Sequence, residues 1–155
     1  MSYGIGRGVG RALFCSAGSD MPSPSVKQPP FASLVGINIR HVSPERVAAE
    51  LTVRDDLTNG NGILHGGAIM TLADNLGGTA TMANLRSGFI TTTIESKTNF
   101  FAAIALGETA HAECMPLHRG RTTMVWQTRI TRGDGRLAAV VTQTQLVIEP
   151  KSKSS

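Results

Sequence analysis

Between Gly66 and Leu85 the apolar residues Ile69, Leu72, Ala73, Leu76, Ala80 and Ala83 fall at offsets of 0, 3, 4, 7, 11 and 14. That spacing lines one stripe of an α-helix and predicts a single amphipathic helix over this stretch. The chain after it alternates instead. "FITTTIESKTNFFAAIAL", "ETAHAECMPL", "TTMVWQTRIT" and "RLAAVVTQTQLVIEP" read as four strands with short turns between them. The last turn, "TRGDGR", carries the Asp-Gly signature of a tight hairpin, a better reading of Arg132-Gly133-Asp134 than an adhesion motif. Upstream, "ERVAAELTVRDD" sets Val47, Ala49, Leu51 and Val53 against Ala48, Glu50 and Thr52, a half-buried strand behind the short apolar entry "PFASLVGINI". The order is strand, long helix, antiparallel meander: an α+β chain with one sheet of about five or six strands. One helix covers only one face of that sheet. Self-association is the economical cover for the rest, since an uncovered face or edge is an interaction surface.

Composition narrows the partners. The 155 residues, 41% hydrophobic and 17% charged, suffice for one domain with a real core, and no apolar run approaches the ~20 residues that span a bilayer. The net charge of +4 sits outside the patterned region. Arg7, Arg11, Lys27, Lys151 and Lys153 against Asp20 account for all of it (5 − 1 = 4), leaving ten basic and ten acidic side chains within 28–150. A neutral body with 5% aromatics argues against a nucleic-acid partner. Cys15 and Cys114 have no companions at metal-ligand or disulfide-framework spacing. A reducing compartment, the cytoplasm, is expected. Residues 1–29 read as a flexible tail and Pro-rich linker, 30–149 as the domain and 150–155 as a C-terminal tail. Gly4, Gly6, Gly8 and Gly10 follow no strand, so they make no dinucleotide loop. Arg7 and Arg11 with one acid give that tail some likeness to an organellar transit peptide, the alternative location, and Met21 is a second possible start.

Asp74 is the chemical anomaly. At 100° per residue it lies about 150° from the centre of the apolar stripe, so it is not a core residue. It is either a solvated acid or a reactive one. Gly77 and Gly78 lie on the same face, each costing ~1 kcal/mol relative to alanine in a helix, which suggests that a partner backbone or ligand approaches closely. At the helix start, "LHGG" aims the N–H groups of Gly66 and Gly67 outward with the positive end of the helix dipole behind them, a place where an oxyanion is stabilised. His65 reads as a packing or hydrogen-bonding residue of that start, with a catalytic role as the alternative.

Asn59, His65-Gly66-Gly67 and Asp74, spaced Asn-(x)5-His-Gly-Gly-(x)6-Asp within this element order, closely resemble the hotdog-fold acyl-CoA thioesterases, especially the phenylacetate-degradation group. The resemblance covers about residues 30–149, and the proline-rich His motif of hotdog dehydratases is missing. It implies a sheet wrapped around one long central helix and hydrolysis of an acyl-CoA to free acid and coenzyme A, without metal or other cofactor. Asp74 takes the place of the general base or nucleophile, Gly66 that of the N–H polarising the thioester carbonyl, and Asn59 that of the orienting amide. Thr93, with Thr92 next, is the candidate assisting hydroxyl on the following strand; in some relatives it comes from the helix, where Gly78 stands here with Thr79 beside it. Arg119 and Arg121 of the "HRGR" turn are candidate phosphate contacts. Met70, Phe100, Phe101 and Trp126 are candidate pocket walls, though such residues are more often ordinary core. The alternatives are another hotdog enzyme on acyl-thioesters and a non-catalytic acyl-CoA-binding or scaffold protein.

Eight residues separate Gly66 from Asp74, ~12 Å along a helix at 1.5 Å per residue, yet both must stand ~3 Å from one carbonyl. Two antiparallel helices satisfy this where one chain does not. A homodimer, further paired into a dimer of dimers, is therefore expected.

Overall fold

The computed structural model describes residues 27–150, and the expectations for 1–26 and 151–155, including Met21, Cys15 and the glycine-rich tail, lie outside the described residues. In chain order the elements are α1 (Pro30–Val35), β1 (Asn38–Val42), β2 (Val47–Thr52), a 3-10 turn at Asp55–Leu57, α2 (Gly66–Met82), β3 (Ile90–Phe100), β4 (Thr109–Arg119), β5 (Thr123–Thr131) and β6 (Leu137–Ile148). All strand pairs are antiparallel in one sheet ordered β1-β2-β4-β5-β6-β3. Helix α2 packs against every strand from β2 to β6.

The expected long helix and a sheet of the expected five or six strands are present; besides the five strands that the alternation marks there are a sixth, β1, and a short helix, α1. Helix α1 lies within "PFASLVGINI", and β1 begins at the end of that stretch and runs on to Val42. Helix α1 has Pro30 in its first turn and ends on Gly36 at φ +86, whose N–H reaches Ala32 O and Ser33 O. These are ordinary start and stop signals, but six residues are too few for a periodicity. Strand β1 loses its register between Ile39 and His41, which erases the alternation that would mark it. Gln28, assigned to the linker, already accepts a hydrogen bond from Asn75 Nδ2 at 2.9 Å.

The core forms where the stripe meets the sheet. Ile69, Leu72, Ala73, Leu76 and Ala80 are buried against Val47, Leu51, Ile130 and Val141, each large aliphatic contributing ~1.5–3 kcal/mol. Ala83 lies past the helix end and is exposed. Trp126 is no pocket wall. It is fully buried, and its indole N–H donates to Thr81 Oγ1 at 2.8 Å while that hydroxyl donates to Gly77 O at 2.8 Å. The pair satisfies itself inside the core.

The two helix glycines part company. Gly78 faces open space, but a Cβ on the buried Gly77 would collide with the Gln143 amide, so the close approach is made by this chain's own β6. The edges differ too. Edge strand β3 is eleven residues long, and its Ile90, Ile94 and Phe100 are each more than half exposed.

Among the described residues no helix is long and apolar enough to cross a membrane.

Gly36→Ala is expected to destabilise by about 1–3 kcal/mol, because φ +86 is left-handed and the new Cβ would overlap the Arg54 guanidinium. Gly133→Ala, with nothing within 4 Å of the added atom, should stay within about 0.5 kcal/mol. Thermal or urea unfolding of the two variants checks both.

Candidate functional site

With the apolar stripe turned into the sheet, Asp74 is left on the exposed side of α2, facing β3. Its Oδ1 accepts from Thr93 Oγ1 at 2.8 Å and from Gln143 Nε2 at 2.5 Å. Oδ2 has no hydrogen-bond partner among the described residues. The carboxylate opens on a cavity of about 390 Å³, lined also by Phe31, Met70, Thr71, Asn75 and Ser96. It is thus a carboxylate fixed at one oxygen and open at the other, next to an apolar wall.

The helix start forms a second cluster. His65 is the N-cap residue, and its Nδ1 accepts the Gly67 N–H at 2.9 Å. This fills the capping role normally taken by Ser, Thr, Asp or Asn. It also corrects the expectation for Gly67, whose N–H is consumed by the cap and does not face a substrate. The Gly66 N–H has no such partner among the described residues. An added Cβ at Gly66 would stand 3.2 Å from the Phe100 ring, so the glycine lets that ring pack close to the helix start. Asn59 Oδ1 accepts from Asn61 N at 2.9 Å, an Asx turn, and its Nδ2 donor has no hydrogen-bond partner among the described residues. Asn59, Gly66, Phe100 and Phe101 line one cavity of about 370 Å³.

Within one chain these clusters remain apart, on different cavities and eight helix positions from each other. Thr92 joins neither. Strand alternation turns it to the face opposite Thr93, as its pairing with Leu146 rather than Gln145 records. Nor does the chain bring its hairpin arginines to Asp74. Arg119 donates to Pro44 O and Asn84 Oδ1 beyond the far end of α2, and Arg121 pairs with Glu149 at 3.6 Å. Cys114 is buried in the core, where desolvation pushes its thiol up to about 11; it is no nucleophile. Among the described residues no three His, Cys, Asp or Glu side chains gather as a metal site.

Gln143 and Gln145 were not among the sequence candidates. Both are 1% exposed. Gln145 Nε2 donates to Thr93 Oγ1 at 2.8 Å, and Gln143 Nε2 approaches the same hydroxyl at 3.0 Å. Their signal is polarity at inward positions: Ala139, Val141, Gln143 and Gln145 share the buried face of β6, where alternation calls for apolar residues. Gln143 Oε1 is buried without a partner among the described residues, a defect costing about 1–3 kcal/mol. Such a cost in a native chain calls for an explanation.

Comparison with known proteins meets the same residues. The family model for the thioesterase superfamily matches residues 61–139, which include Gly66 and Asp74. A protein of Mycobacterium tuberculosis that bears an esterase name is 30% identical over 123 residues, 77% of this chain and 87% of its own. Its solved structure has a TM-score of 0.76 to this one, covering 80% of this chain and 100% of that one at 26% identity. The six strands around one main helix are the hotdog fold of these neighbours. The proofreading thioesterase of Cronobacter turicensis is 29% identical over 102 residues, 66% of this chain and 74% of its own. A thioesterase-titled Streptococcus pneumoniae protein solved with coenzyme A has a TM-score of 0.68 at 27% identity, covering 76% and 89% of the two chains.

The cap assignment for His65 separates variants. His65→Ala should lose about 1 kcal/mol of stability, whereas His65→Asn, a side chain that also caps, should retain most of it. Equal losses in denaturant melts would show that the imidazole contributes by something other than its Nδ1.

Proposed function

Starting from a chain that belongs to the thioesterase superfamily, we propose that it hydrolyses an acyl-CoA thioester to the free acid and coenzyme A, with Asp74 as general base. The observation that carries this reading is the complementarity of the two clusters. One presents a carboxylate oxygen without a partner; the other presents the unused Gly66 N–H and Asn59 Nδ2 donors. Thioester hydrolysis needs both at one carbon. Asp74 takes a proton from water as the water oxygen bonds to the carbonyl carbon. The resulting oxyanion lies against the N–H and the amide, which stabilise charge as it develops. The carbon–sulfur bond then breaks, and the leaving thiolate takes up the proton that Asp74 accepted, which restores the carboxylate. The chain's own side chains and water suffice for this sequence.

The two clusters meet when a second copy packs its α2 antiparallel, setting Gly66 and Asn59 of one chain beside Asp74 of the other. The exposed apolar residues of edge strand β3, which carries Thr93, support a partner at this edge. The open space at Gly78 leaves room for it. Coenzyme A in the Streptococcus pneumoniae neighbour supports the choice of thiol. Arg119 and Arg121 lie remote from Asp74, which suits contact with the coenzyme's phosphates, the end farthest from its sulfur. Phe31 and Met70 form the acyl side of the cavity.

Asp74→Asn keeps the volume and removes the base, so turnover should fall below detection while the melting temperature and coenzyme A binding hold. Free-thiol release from a panel of acyl-CoA thioesters measures it. Near-normal turnover would exclude this mechanism, and no release by the wild type from any thioester would favour a binding protein.

The shared site has its own test. Asp74→Ala and Asn59→Ala chains, each inactive, are co-refolded in equal amounts. About half of randomly paired dimers are mixed, and each then holds one intact and one doubly altered site, so roughly a quarter of wild-type activity should return. No recovery, with mixed dimers verified by mass, would mean that each site is built within one chain.

A further inference from the structure

We propose, on the hydrolysis reading above, that Gln143 is a positioning residue: seated against Gly77, its amide helps lock the Thr93 hydroxyl and Asp74 Oδ1 so that Oδ2 is the oxygen that meets water. Counting donors and acceptors carries this. A threonine hydroxyl has one proton and two lone pairs. Thr93 Oγ1 receives Gln145 Nε2 at 2.8 Å and Gln143 Nε2 at 3.0 Å. Both lone pairs are thereby occupied, and its proton goes to Asp74 Oδ1 at 2.8 Å. Thr93 is therefore fixed as a donor. It cannot take a proton from water or act as a nucleophile's base.

The glutamine orientations follow from the same count. Gln145 Oε1 faces the Thr91 hydroxyl at 2.9 Å, which leaves its amide nitrogen for Thr93. For Gln143, a flipped amide would set Oε1 against the Asp74 carboxylate, acceptor against acceptor; only Nε2 fits there. With Nε2 so placed, Oε1 lies against Gly77 and finds no donor. A side chain retained for stability would not leave a buried oxygen unpaired at its far end. Retention makes sense if its nitrogen is needed at Asp74. Gly77 completes the device, since an added Cβ would displace this amide.

The test uses Gln143→Met, which keeps length and burial but removes both amide groups. Expected is a fall in kcat of about tenfold or more, KM within about twofold, and a melting temperature unchanged or raised because the orphan oxygen is gone. Gly77→Ala should lower kcat by a similar factor through the displaced amide. The double variant should fall no further than the worse single one, since both changes remove the same contact. A Gln143→Met protein with normal kcat, or with a lowered melting temperature as its only change, would overturn the proposal and leave Gln143 a packing residue. A double variant whose losses multiply would overturn the link through Gly77. Failure of the underlying reading looks different: the wild type itself releases no thiol from the acyl-CoA panel, and the proposal falls with it.

Discussion

The contact between the apolar stripe of α2 and the buried side of the sheet governs the rest of the molecule. Once Leu72, Ala73, Leu76 and Ala80 are driven inward, the angle of every other helix position is settled, and Asp74 must emerge beside β3. The same burial aims the helix start at the loop carrying Asn59, because Leu64 and Ile69 bracket His65, Gly66 and Gly67 with buried anchors. The groups of the candidate site are thus placed by apolar ones. No strained residue is needed for it: among the described residues every positive φ belongs to a glycine.

The chemistry at Asp74 is assembled from three directions at once. The helix supplies the acid, β3 a hydroxyl and β6 two amides, so the cluster exists only when the β3–β6 ladder is in register. The ladder shifts between Thr93 and Glu95, immediately after the hydroxyl. Up to Thr93 the alternation holds Thr91 and Thr93 on the amide side; beyond the shift Ser96 pairs with Gln143 and Phe100 with Ala139, so the even positions take over that side. One irregularity thus hands the helix side of β3 from Thr93 to Ser96 and Phe100.

Much of this was legible in the sequence, for identifiable reasons. The stripe of α2 and the alternation of the four later strands are long enough for a period to show. Asp74 stood out as a charge inside an apolar segment, and Gly66 and His65 as a helix start. What escaped notice depends on contacts distant in the chain. That the Gly67 N–H is taken depends on a His65 rotamer, not on the pair of glycines. Gly77 looked like a surface for another molecule because its neighbour, Gln143, lies 66 positions later and meets it only through the fold. Trp126 reads as a cavity wall in the sequence because its partner Thr81, which accepts its N–H, lies 45 positions away. The glutamines carried a signal of their own, polar residues on the core side of a strand, but their partners are set by β3–β6 pairing. Helix α1 was too short to reveal a period.

How α1 is held bears on what the cavity at Asp74 can accommodate. Only Ala32 and Val35 of this helix are buried, while Phe31 and Leu34 remain largely outside. Its last turn is gripped by one guanidinium: Arg54 Nη1 donates to Val35 O at 2.9 Å and Nη2 to Leu34 O at 3.1 Å. Phe31, on that lightly seated helix, forms one side of the cavity, while Asp74 and Met70, on the opposite side, belong to α2. The acid is therefore bolted to the core, whereas the wall facing it hangs from a polar hinge and two small side chains. The two sides of the cavity thus rest on different supports, one helix buried along its length and one held by two small side chains and a guanidinium, so the bulk facing the carboxylate and the aim of that carboxylate are mechanically separate in this molecule.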